Sequence, residues 1–105
     1  MIISTLETAP GMHIVEHYGV VTGSTVRTKH VGRDLMAGFK NIFGGELKGY
    51  TELLDESRSQ AILRMQEQAK AMGANAVLNV RLATSSVSAG ASEVFAYGTA
   101  VKVQK

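Results

Sequence analysis

Residues 73–103 read GANAVLNVRLATSSVSAGASEVFAYGTAVKV, and a change of hydrophobic period inside this stretch decides the fold. Upstream of Gly73 apolar side chains recur at helical spacing. Beyond it Ala76, Leu78, Val80 and Leu82 alternate with Val77, Asn79, Arg81 and Ala83, the two-residue period of a strand. Thr84 to Ser92 predicts a small-residue connection, and Glu93 to Val103 a further strand, so that the two form a hairpin. On the last strand Phe95, Tyr97, Thr99, Val101 and Val103 share one face. Ala96, Gly98 and Ala100 leave the other nearly bare, which lets a helix or a neighbouring backbone approach closely.

Working back from Gly73, the spacing predicts a long helix from about Lys48 to Met72, with Tyr50, Leu53, Leu54, Ala61, Met65, Ala69 and Met72 on one stripe. Gly73 supplies the left-handed residue that ends it. Leu35, Phe39, Ile42 and Phe43 predict a shorter helix over Arg33 to Phe43, broken by Gly44-Gly45. His13 to Val21 reads as a strand rich in β-branched residues, after a short apolar start and a turn at Ala9-Pro10-Gly11. The order β-α-α-β-β gives an α+β two-layer fold: a three-stranded antiparallel sheet with one long and one short helix, in a single domain spanning 1–105.

The chain has 105 residues, 45% of them apolar and 19% charged, which suits one globular domain and excludes a disordered tail or a coiled-coil rod. No apolar run is long enough to cross a bilayer and no secretory leader is visible, so a cytoplasmic location without membrane contact is expected. There is no cysteine, which excludes disulfides, zinc ribbons and thiol chemistry. The net charge is only +2, and its basic residues are scattered. Nucleic-acid binders cluster theirs along one face, so no nucleic-acid partner is expected. The densest group, Arg27, Lys29, His30 and Arg33, reads as a solvated loop.

These strands carry Val, Leu, Ile, Phe or Tyr on both faces, while one long helix covers one. Three strands also leave two open edges. Self-association into a closed homo-oligomer answers both problems, at the usual scale of roughly 800 Å² per subunit.

Taken in order, Val20-Val21-Thr22-Gly23, Arg33-Asp34, Gly38, Ile42, Gly44-Gly45, Tyr50, Gly73-Ala74-Asn75-Ala76-Val77 and Gly98-Thr99-Ala100-Val101 resemble the YbjQ-like family of small prokaryotic proteins. The resemblance runs from about Ile14 to Lys102. It implies a dodecin-like α/β subunit and a ring-shaped homopentamer, with a heavy-metal-binding label attached to a family of unresolved role. The chain departs from the pattern at Glu46, where many relatives carry a basic residue. Arg27-Thr28-Lys29-His30 replaces a more usual small, apolar stretch. Both changes weaken any anion or metal site built there.

No catalytic constellation emerges. Ser85, Ser86 and Ser88 lack a nucleophile elbow and a histidine partner, and read as loop chemistry. Asp55 and Glu56 sit on the exposed side of a helix. His13 and His17 are spaced for one metal on a helix, but on a strand lie about 13 Å apart, so only a ring of subunits could gather copies of one histidine at an axis. Gly44-Gly45 lacks the rest of a phosphate-binding fingerprint and reads better as a hinge. The expectation is a non-enzymatic homo-oligomer holding a metal ion or small ligand between subunits, with Arg33, Asp34, Gly44, Gly45 and Tyr50 as ligand-binding or interface residues. The alternative is an enzyme or ligand carrier with a composite site at a subunit junction, drawing on Arg33, Asp34 and Tyr50.

Overall fold

The structure, a computed structural model, describes residues 1–28, 48–88 and 91–105. Its elements are β1 (Ile2–Ile3), β2 (His13–Thr28), α1 (Lys48–Ala71), β3 (Ala76–Ser88) and β4 (Ala91–Gln104). The strands form one sheet in the order β1-β3-β4-β2. β4 is antiparallel to both β2 and β3, whereas β1 runs parallel to β3.

The expected three-stranded antiparallel sheet is therefore corrected to a four-stranded mixed one, in the order β-β-α-β-β among the described residues. The α+β class holds. β1 is too short to show a period, and it forms because the outer edge of β3 offers ladder positions to the N-terminal segment. Ile2 and Ser4 donate backbone N–H groups to the Asn75 and Val77 carbonyls at 3.1 Å, and Val80 donates to Ser4 at 3.0 Å. Asn79 donates to Leu6 at 2.8 Å with φ of 56°, an irregularity that coincides with a register shift against β4. The short helix expected over Arg33–Phe43 lies outside the described residues.

Two further strand bounds differ. β2 continues past Val21 to Thr28, paired with β4 throughout, because Thr22, Thr25 and Val26 suit a pleated strand although the polar threonines and Ser24 and the bare Gly23 hide the alternation. The residues expected to connect β3 and β4 continue both strands: Ser85 pairs with Glu93 and Ser86 with Ser92. The serines stand in a strand rather than a loop, and the Ser85 hydroxyl donates to Glu93 at 3.3 Å.

α1 ends as its sequence predicts. Gly73 adopts φ of 94°, its N–H donates to Lys70 at 3.0 Å and the Ala74 N–H to Ala69 at 3.1 Å, the paired bonds of a glycine-terminated helix. Lys70 adds a favourable charge to the last turn. Ala61, Met65 and Ala69 are fully buried against Val21, Val77, Ala96 and Ala100. The small residues of β4 let the helix sit low, and Gly23 of β2 lies against the backbone of Ala61 and Met65. This draws α1 toward β2. The Gln68 side chain accepts the Thr22 N–H at 2.7 Å, and Arg64 donates to the Ser24 carbonyl.

Candidate functional site

Two surfaces remain once α1 is seated over β2. On the sheet face away from α1, Ala9 and Met12 cover one end, closing a second small core with Ala76, Leu78, Val101 and Val103. Asn75 fastens that end by donating to the Val103 carbonyl at 2.9 Å and accepting its N–H at 2.8 Å. Past this cover the register places Val20, Thr22, Ser24 and Val26 beside Thr99, Tyr97, Phe95 and Glu93. Val20 is 72% exposed and Val26 52%, and the Phe95 and Tyr97 rings stand 5.7 Å apart. The second surface is a groove on the α1 side, where the β3 flank of the sheet is left open by the helix. It is lined by Ile3, Ser4, Thr5, Ile62, Val80, Arg81 and Leu82.

The candidate residues read from the sequence do not converge on either surface. Arg33, Asp34, Gly44 and Gly45 lie outside the described residues. Tyr50 falls in the first turn of α1, and its side chain is likewise outside the description. His13 and His17 are both exposed on β2. Among the described residues, no three His, Asp or Glu side chains gather where they could hold a metal ion. Asp55 is exposed and paired with Arg58 one turn along the helix.

One polar contact stands out beside the histidines. The Tyr18 hydroxyl donates to Glu16 at 2.5 Å, near the helix end at Gly73. Accepting that bond, the Glu16 carboxylate holds the Tyr18 phenol above its ordinary pKa; slight desolvation and the carboxylate charge act the same way. The two-residue strand period already puts Glu16 and Tyr18 on one face; the hydrogen bond itself is a feature only the folded geometry shows. Sequence reasoning missed Arg81, whose guanidinium reaches across to the Thr5 carbonyl at 3.1 Å, 76 positions away in sequence.

Among the described residues, fold and surfaces define a two-layer α+β protein with a long helix on a mixed sheet and apolar side chains left exposed. The chain belongs to the YbjQ family, whose model, described as "Putative heavy-metal-binding", matches residues 1–104. A UPF0145 protein of Hahella chejuensis is 65% identical over 104 residues, covering 99% of this chain and all of the relative. UPF0145 proteins of Archaeoglobus fulgidus and Thermus thermophilus are 54% and 53% identical, each over 99% of this chain and over 96% and 91% of their own lengths. The crystal structure of a protein of unknown function from Pediococcus pentosaceus matches with a TM-score of 0.68 at 17% identity, covering 99% of this chain and 98% of that one. That likeness speaks to the fold. Among the described residues no helix is long and apolar enough to cross a membrane.

Proposed function

We propose that this chain acts as a non-enzymatic homo-oligomer that holds a metal ion or small ligand between subunits. The observation that carries the reading is the half of the sheet that no other described residue covers, where Val20 and Val26 stand exposed on the face opposite α1. The dimensions point the same way. The chain measures 53 × 26 × 16 Å with a radius of gyration of 17.0 Å, against about 13 Å for a compact domain of this length.

The family description favours a metal as cargo. Because the described side chains of one copy gather no three ligands, a metal held by them draws donors from neighbouring copies, with His13 and His17 the exposed imidazoles available. A closed ring, pentameric as the family resemblance implies, brings such copies around one axis.

Native mass spectrometry of the purified chain at micromolar concentration tests the assembly: a discrete multiple of the subunit mass is expected, and a lone subunit of 11.2 kDa sinks it. Calorimetric titration with zinc, copper and nickel, using His13→Ala and His17→Ala as controls, tests the cargo. Binding tighter than about 100 μM that either substitution weakens is expected. Heat signals that neither substitution changes would remove these histidines from the site.

A further inference from the structure

Two apolar features are left open among the described residues, and they lie on opposite faces of the sheet, toward opposite edges. The first is the strip on β2, the last strand on one side of the sheet, where Val20 is 72% exposed beside Thr99 of β4. The second is the groove on the β3 flank. It exists because α1 is held toward β2 by the close approach at Gly23 and by Gln68 and Arg64, which leaves Ile62 as the helix residue above β3. Strand alternation fixes the two sides. Val21 and Ala96 are buried against α1, so Val20 points away from the helix, whereas Leu82, paired with Ala96, points toward it.

The groove encloses about 380 Å³ between walls that include Ile3, Ile62, Val80 and Leu82, and Leu82 at 43% exposure stands at its mouth. A protruding valine on one side of a chain and an aliphatic recess on the other are the two halves of a heterologous contact, in which each copy offers its strip to one neighbour and its groove to the next. Charge favours the same occupant. Val20, Thr22 and Ser24 and their β4 partners Thr99, Tyr97 and Phe95 are uncharged, as are the aliphatic walls of the groove, so seating one against the other strips water from no charge.

We propose that Val20 of one copy seats in the groove of the next, between that copy's Ile62 and Leu82, and that repetition of this contact builds the assembly. The proposal rests on the reading that the strip from Val20 to Val26 is a contact between copies, and it names the surface that receives the strip.

The chain has no cysteine, so an engineered disulfide reads the contact directly. Val20→Cys with Leu82→Cys, both in one chain, cannot link within that chain, because the two positions stand on opposite faces of the sheet and out of disulfide reach. Mild oxidation is expected to give a ladder of covalently joined copies on a non-reducing gel, and either single substitution none. Absence of a ladder from the double variant overturns the proposal, as does a linked pair from Val20→Cys alone, which would show strip against strip. Native mass spectrometry adds a second arm. Val20→Lys with Val26→Lys spoils the strip and Leu82→Lys the groove, so each variant is expected as a lone subunit of 11.2 kDa. Mixed in equal amounts, each keeps the half that the other lacks, and a pair that grows no further is expected. The cysteine variants, at exposed positions, carry the test if Leu82→Lys does not fold. A strip variant that falls to one subunit while folded Leu82→Lys keeps the mass of the unaltered protein overturns the role of the groove and leaves the assembly standing. A lone subunit in the unaltered protein removes both.

Discussion

Gly23 lies where α1 crosses β2, and a Cβ there would overlap the Ala61 carbonyl oxygen and the Met65 nitrogen. Both obstacles are backbone, so neither can rotate away. Gly23→Ala is expected to lower stability by about 1–3 kcal/mol, read from urea unfolding, with a shifted midpoint and an unchanged slope. At Asn79 the constraint is angular, since its φ of 56° is one that β-branched side chains avoid. Asn79→Gly should therefore be close to neutral, whereas Asn79→Val should cost about 1–2 kcal/mol in the same assay. Tyr18 supplies a pH signature. Its phenol is raised in the folded chain by the Glu16 hydrogen bond, so the associated stabilisation is present below the ordinary tyrosine pKa and is lost as pH rises through the folded value. Glu16→Gln should move the Tyr18 transition downward in an alkaline absorbance titration, with Tyr18→Phe identifying which transition it is.

At the scale of elements, α1 does two jobs that its apolar stripe alone does not reveal. Its buried side, Ala61, Met65 and Ala69, was legible from spacing, as was the bare strip of Ala96 and Ala100 that receives it. Leu54 and Met72, on the same predicted stripe, are 40% and 41% exposed, because the sheet beneath is engaged by the middle of the helix. The second job falls to Arg64 and Gln68, which cover the Ser24 carbonyl and the Thr22 N–H on the outer edge of β2. Open edges invite further strands. Arg64→Ala with Gln68→Ala should expose that edge and raise the concentration-dependent light scattering of the folded protein; unchanged scattering would show that the two side chains do not guard it. Asn75 clamps β3 to β4 in a comparable way, and Asn75→Ala should lower stability by about 1–3 kcal/mol through the loss of both Val103 bonds.

For the whole molecule, length governs shape. At about 3.3 Å per residue the 16-residue β2 spans about 53 Å, which matches the long axis of 53 Å, while α1 runs for about 36 Å over 24 residues. Helix and sheet are therefore unequal partners, and the sheet extends past its cover. Val20→Lys with Val26→Lys should leave the core intact, because both side chains already face outward. If a second copy covers them, the double substitution should reduce the native mass to that of one subunit. An unaltered mass would place the contact elsewhere.

The sequence by itself determined the long helix, its glycine stop, the two strands that follow and the family to which the chain belongs, because these are matters of local period and ordered motif. It did not determine the parallel strand Ile2–Ile3, whose pairing partner lies more than 70 positions away and whose two residues carry no period. Nor did it show that Ile3, Ile62 and Leu82 line one groove, since they meet only after α1 has settled on β2. The close approach at Gly23 fixes which half of the sheet is covered, and steric fit between a helix and a strand distant in sequence exists only in the folded chain.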